Sequence, residues 1–504
     1  MPASSPPQQP RHGSAPGGDG TPVLCGARLA DGRTVDVRLG GGRILAVGTA
    51  GSLAGPAGGC GARVDLGGYL LLPAPVEAHA HLDTALTGVA GAAGAPGASR
   101  ASGASGAASG SSPSAGASTD SSGSLDSSGL LEAPGSSPGS PGSRAPGDSG
   151  AFPASPASPS FPGSGVDVQR RAVEAALLQL GHGATALRTH VRIGGGAGLD
   201  GLRAVLAARA ALRGLADVAV VAAPPVLTGV AGAGGRALLR EAVAMGATAL
   251  GGCPDLDPDP GGFAETVLRV AAEHGCAVDL HCDGADPARL DRVAAVAGEM
   301  RCGAGVAVGP CGGLARVPYE TAAGVAERLA GAGVAVVCLP QGDCGAVRGA
   351  RSGGGAARGA VRGAGAQPFA YAPVGLLRAA GVRVAAGGGA VRDAANPVGS
   401  GDPLQSAYLL AAAGEADPAA AYEAVAGQAR AVLGLPEVRV EAGFPAELLA
   451  VRGDSVAGAL SLGYSRIVIH RGRVVARTSA VREYCDSGAA DLDLPRQGLR
   501  RTAG

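Results

Sequence analysis

Leu70-Leu71-Leu72-Pro73-Ala74-Pro75-Val76 runs without a polar residue into Glu77-Ala78-His79-Ala80-His81-Leu82-Asp83. A short apolar run of this kind reads as a buried strand over 70–76. In extended chain, residues two apart project to one side, so the two imidazoles that follow can reach one metal ion. Seven more runs repeat the pattern downstream, at 184–191, 217–223, 247–252, 276–281, 305–309, 333–339 and 381–387. The segments between them carry helical periodicity: Val168, Ala172, Val173, Ala176, Leu177 and Leu180 share one face, and Leu202, Val205, Leu206 and Leu212 another. Eight strand–helix repeats predict an α/β fold, a closed (β/α)8 TIM barrel over 70–435 with its chemistry at the carboxyl ends of the strands.

Outside the barrel, 22–69 and 436–484 alternate apolar and polar residues with turn glycines, and the two are expected to pair into one small β domain. Residues 91–165 are Ser, Gly, Ala and Pro with five large apolar side chains, too few to offset the ordering entropy, so they are expected to be a disordered insertion. Residues 1–21 and 485–504 read as tails, and 345–366 as a Gly/Ala/Arg loop.

The 504 residues include 89 Gly, 7 Tyr, 5 Phe and no Trp, yet 46 % are hydrophobic, enough to build a core. The 41 basic and 41 acidic residues cancel, so no nucleic-acid or membrane-surface footprint is expected. The first 21 residues lack the apolar stretch of a signal peptide, and no run approaches a membrane span. The ten Cys contain no C-x-x-C pair and sit mostly in strand-like runs, as expected for reduced thiols in a cytoplasmic protein.

A third histidine, His281, ends the fifth run in Asp279-Leu280-His281-Cys282-Asp283. With these stretches, Leu187-Arg188-Thr189-His190-Val191, and the 381–399 segment carrying Arg392-Asp393 and Asn396-Pro397, the chain resembles the amidohydrolase superfamily, in particular its cytosine deaminase-like branch. The resemblance covers nearly the whole chain outside the insertion and tails. Ser128-Gly129-Leu130-Leu131-Glu132 resembles the family's loop after the first strand. It implies a metal-dependent hydrolase acting on C–N bonds, with His79, His81 and His281 as ligands of one divalent metal, Zn or Fe.

The same resemblance puts unusual residues at the remaining positions. The family's proton-carrying glutamate falls on Gly284, its sixth-strand histidine on Pro310, and its eighth-strand metal-binding aspartate on Gly389 with Ala390 beside it. The substrate glutamine falls on Pro225, and an aromatic position on Ala395. None of these side chains can donate, accept or ligate. Three imidazoles without an anionic ligand imply weak metal binding. Asp283, Cys311 and Asp393 are the neighbours that could substitute. His190, Asp83, Asp283 and Asp393 are expected around the ligands, His190 in a hydrogen-bonded structural role. Small residues at 225, 284 and 389 predict an enlarged pocket.

Two readings of activity follow: a homologue inactive or severely impaired as a deaminase, or a working metal-dependent hydrolase of a cyclic amidine or amide with rearranged ligands. A small heterocyclic ligand and a homo-oligomer, or pairing with an active paralogue, are the partners expected.

Overall fold

A computed structural model of the chain describes residues 22–53, 62–88, 164–300, 303–342 and 371–480. The tails, the 345–366 stretch and the 91–165 segment lie outside the described residues, except for Ser164 and Gly165. Those two open the first helix, where Ser164 Oγ accepts from the Asp167 amide at 3.4 Å. A serine so placed satisfies one of the amides left unpaired in a first turn.

The first sheet begins with β1 (Val23–Arg28), β2 (Thr34–Gly40), β3 (Arg43–Thr49), β4 (Arg63–Asp65) and β5 (Tyr69–Pro73). The barrel follows with β6 (Val76–Ala80), β7 (Ala186–Arg192), β8 (Asp217–Ala223), β9 (Ala249–Gly252), β10 (Ala277–Cys282), β11 (Val306–Pro310), β12 (Ala335–Cys338) and β13 (Val384–Ala386). Neighbours in this run of eight are hydrogen-bonded in parallel, in sequence order. Between successive barrel strands stand α1 (Gly165–Gly181), α2 (Asp200–Ala211), α3 (Gly232–Met245), α4 (Pro260–His274), α5 (Pro287–Met300), α6 (Tyr319–Gly331) and α7 (Val374–Ala379). After β13 come α8 (Pro403–Ala412), α9 (Pro418–Val425) and α10 (Gly427–Val432). The chain then returns to the first sheet with β14 (Leu448–Arg452), α11 (Val456–Leu462), β15 (Arg466–His470) and β16 (Arg473–Thr478). That sheet runs β16-β15-β14-β5-β1-β2-β3, with β4 beside β1. It joins both halves of the small β domain around Leu24, Val37, Leu71, Leu448 and Ile469.

Seven barrel strands lie within three residues of the expected runs, and the first does not. The run at 70–76 divides. Tyr69–Pro73 pairs antiparallel with β14, and the barrel strand starts only at Val76. The reason is the Pro73-Ala74-Pro75 sequence. Proline has no amide to give a ladder, and the single amide between the two prolines, that of Ala74, bonds to the Glu447 carbonyl of the other sheet. His79 therefore sits inside a barrel strand rather than after one. On α1, Leu177 is 42 % exposed instead of belonging to the buried face.

The barrel interior holds mainly small side chains: Val76, Ala78, Ala186, Ala307, Ala335, Val337 and Ala385, with Ala429 and Val432 of α10 packed against them. Between the first and last strands the seam is closed by few backbone bonds. Ala80 and Gly389 form an isolated parallel bridge, in which the Gly389 amide donates to the His79 carbonyl at 2.8 Å. Glu77 supplies the rest. Its Oε1 accepts from the amides of His79 at 3.0 Å and Gly388 at 2.9 Å. A Cβ at Gly387 would stand 2.7 Å from Glu77 Oε1 and 2.9 Å from the His79 amide, so only glycine lets the strands approach. Among the described residues, no helix is long and apolar enough to cross a membrane.

Candidate metal centre

Strand periodicity carries the site. On β7, Ala186, Arg188 and His190 alternate onto the inner face, and on β10 Asp279 and His281 do the same. Ascending the barrel, small residues give way to a charged pair and then to imidazoles. Arg188 Nη1 lies 3.1 Å from Asp279 Oδ2, both side chains almost wholly buried, and Arg188 Nη2 donates to the Val432 carbonyl at 2.9 Å.

Above this pair, His79, His81, His190 and His281 converge, one ring nitrogen of each within 4.8 Å of one of every other. His79, His190 and His281 are buried, and His81 keeps some exposure. His81 Nε2 stands 3.2 Å from His79 Nε2 and 3.3 Å from His281 Nε2. The ring centroids of His79 and His190 are 4.1 Å apart, and those of His190 and His281 4.4 Å. Burial first, and then the neighbouring rings, hold His79, His81 and His190 well below the usual histidine range; burial lowers His281 also. Burial thus favours the neutral form of each ring, the form in which an imidazole ligates a metal. Nδ1 of His79, both nitrogens of His190 and Nδ1 of His281 are buried without a hydrogen bond of normal geometry, although backbone groups of Asp279 and Ala80 stand beside His190 and that of Gly252 beside His281. Converging lone pairs with unpaired polar atoms are costly in a dry interior, and a divalent cation suits this donor set.

The other expected residues are occupied elsewhere or lie apart. Asp283 forms an ion pair with Arg316 at 3.0 Å. Asp393 accepts from Thr84 Oγ1 at 2.8 Å and from the amides of Ala395 at 2.7 Å and Asn396 at 3.0 Å, which shapes the loop after β13. Burial pushes the Cys311 thiol far up, so it offers no thiolate. Asp83 Oδ2 accepts from the Arg192 amide at 3.2 Å, and burial raises its carboxyl pKa. Pro310 ends β11, and Pro225 is exposed just beyond β8. Ala390 is buried beside Gly389, whose φ is +72° and whose missing Cβ would face Leu339.

The enlarged pocket expected at Gly284 is not there. A Cβ on Gly284 would stand 3.0 Å from Leu314 Cγ and 3.2 Å from Leu290 Cδ1. Leucines from α5 and the turn after β11 occupy the space. The hydrogen-bonded role expected of His190 falls to backbone groups of Asp279 and Ala80 beside its ring and not to a carboxylate, since Asp279 Oδ1 lies 3.6 Å from Nε2.

The profile of the Amidohydrolase family matches residues 170–476, more than half of the chain. The chain belongs to the amidohydrolase family. Among solved structures of this family's fold, it is similar to N-isopropylammelide isopropylaminohydrolase from Burkholderia multivorans, 22 % identical, over 91 % of this chain and 99 % of that one, with a TM-score of 0.64. A 5-methylcytosine deaminase from Klebsiella pneumoniae, 19 % identical, is matched over 92 % and 99 % with a TM-score of 0.66. These likenesses concern the barrel and its β domain. A curated relative, a pterin deaminase from Rhizobium rhizogenes, is 28 % identical over 250 residues, 48 % of this chain. The match spans about half of that relative's length, 53 %.

The neutral rings set an acid limit on this amidohydrolase. Their folded pKa values lie below the ordinary 6.5, so under acid the unfolded chain binds more protons than the folded one. Their contribution is present above pH 6.5 and is lost as pH falls, each ring costing roughly 1.4 kcal/mol per pH unit until its own folded pKa is reached. Urea midpoints of the metal-free chain are expected to drop steeply between pH 6.5 and 5. A flat profile would mean that the rings titrate as exposed ones do.

Proposed function

We propose that this amidohydrolase holds one divalent metal ion on His79, His81 and His281 and is inactive, or severely impaired, as a deaminase. The reading is carried by the packing at Gly284. The resemblance expects the proton-carrying glutamate there, and two buried leucines fill that volume. A bound ion supplies Lewis acidity. The three neighbours that could substitute do not move a proton for it, because Asp283 and Asp393 are engaged in structural bonds and Cys311 stays protonated. A missing general acid–base group costs roughly 10²–10⁴ in rate, and the resemblance counts two such positions lost, at Gly284 and Pro310.

A second reading has one observation in its favour. Asp83 is a buried carboxyl whose pKa burial raises, the profile of a group able to carry a proton. Under that reading the chain is a hydrolase of a cyclic amidine, and the named deaminases above make pterins and cytosines the first substrates to try.

Metal content and ammonia release decide between these outcomes. The chain incubated with Zn²⁺ and freed of unbound metal is expected to retain about one ion, a closed or open imidazole site being legitimate for zinc. The His79→Ala/His81→Ala variant is expected to retain none. No ammonia release from pterins or cytosines is expected. Release that disappears in Asp83→Asn would establish the second reading, and no metal above the variant's background would overturn both.

A further inference from the structure

We propose that His190 is itself a metal ligand, so that the ion is enclosed by four imidazoles with no position left for water or substrate. The inference rests on the three-histidine centre proposed above and changes what that centre can do. Its first support is position. The His190 ring stands 4.1 Å from His79 and 4.4 Å from His281, closer than these two stand to each other at 4.7 Å. It is thus as central as the three rings that the H-x-H spacing and the fifth strand bring together.

The second support is the state of its polar atoms. His190 is 1 % exposed; backbone groups of Asp279 and Ala80 lie beside its ring, and neither makes a hydrogen bond of normal geometry with it. An imidazole buried in a structural role normally bonds at least one nitrogen, because leaving both unpaired forfeits its hydration without return. The Asp279 carboxylate does not fill that role: at 3.6 Å its Oδ1 is beyond hydrogen-bond reach, and its other oxygen holds Arg188. A cation at the centre of the four rings satisfies a nitrogen on each.

The third support is what stands opposite. Three residues beyond β13, Gly389 offers no side-chain ligand, and its amide is committed to the His79 carbonyl at the seam. Four nitrogens from β6, the residue after it, β7 and β10 complete the tetrahedral set typical of a structural zinc site, whereas hydrolytic zinc keeps one position open. The ion then acts as a cross-link from β6 and β7 across the barrel interior to β10.

The test uses Zn²⁺ and Co²⁺ with the full chain. X-ray absorption at the metal edge of the unmodified protein is expected to count four imidazoles, a readout that needs no variant to fold. The visible spectrum of the Co²⁺ form is expected to ignore added azide. The His190→Ala and His190→Gln variants, checked for native circular dichroism without metal, are expected to bind Zn²⁺ at least about 100-fold more weakly, the upper end of what losing a mere outer partner costs. Their Co²⁺ spectra are expected to respond to azide, since a position has opened. Three imidazoles with a light oxygen ligand, an azide-sensitive parent, or unchanged affinity in both variants would overturn the role of His190 and leave the three-histidine centre standing. No metal in the parent would overturn both.

Discussion

Arg188→Met is expected to lower the stability of the chain by about 3–5 kcal/mol, read as a shift of the urea midpoint at pH 7.5 in the presence of a chelator. The reason is not the loss of an attraction. Arg188 and Asp279 face each other across the barrel interior with almost no exposure, and removing one partner leaves a charge in a medium that cannot solvate it. The Val432 carbonyl at the end of α10 also loses its donor. Replacing both partners, in Arg188→Met/Asp279→Leu, is expected to recover most of the loss, because a buried pair is often no better than apolar groups of similar volume. If the double variant is as unstable as the single one, packing rather than charge governs the site. If the single variant matches the parent within 0.5 kcal/mol, the usual limit of a surface change, the pair is not buried in solution.

Gly284→Glu, which restores the residue type the family resemblance expects, is expected to cost roughly 2–5 kcal/mol and to restore no deaminase activity. Two effects combine. The φ of +78° at this position disfavours any side chain, by about 1–2 kcal/mol. The new Cβ would also press on Leu314 and Leu290, both essentially inaccessible, and overpacking of that kind costs about 1–3 kcal/mol. Gly284→Glu/Leu314→Ala is expected to regain the packing part and not the backbone part. A single variant within 0.5 kcal/mol of the parent would show that the leucines yield readily, and would weaken the reading of the chain as an inactive homologue.

The barrel was legible because parallel strands covered on both faces read as continuous apolar runs. The one displaced strand, Val76–Ala80, was obscured because Leu70–Val76 is apolar on both sides of a change of sheet, and only the amide count at Pro73-Ala74-Pro75 marks the crossing. Three of the converging histidines were legible from the H-x-H spacing and the end of the fifth run. His190 was placed around the ligands in a hydrogen-bonded role, and the closeness of its ring to His79 was not legible because it depends on how β7 sits beside β6. The filling of Gly284 could not be read at all. Leu290 lies on the following helix and Leu314 in a turn beyond the next strand, and nothing local ties either to that glycine. Glu77 was passed over as part of a motif, although burial pushes its carboxyl up to about 8 and it closes the seam beside the ligands.

The sheet built from both ends of the described chain has a consequence for how the molecule comes into being. Arg43 and Gly443, 400 residues apart, share a hydrogen bond, and β5 finds its partner β14 only after the whole barrel has been made. At ~5–20 residues per second on the ribosome, β1 to β5 wait about 20–80 s for their partners. Through that interval Leu24, Val37 and Leu71 have no β14 or β15 to cover them, and the open edge of β5 is a surface for other chains. The last strands to emerge therefore set when the nascent protein stops being a client of chaperones, and slow synthesis or truncation near β14 should show itself first as aggregation.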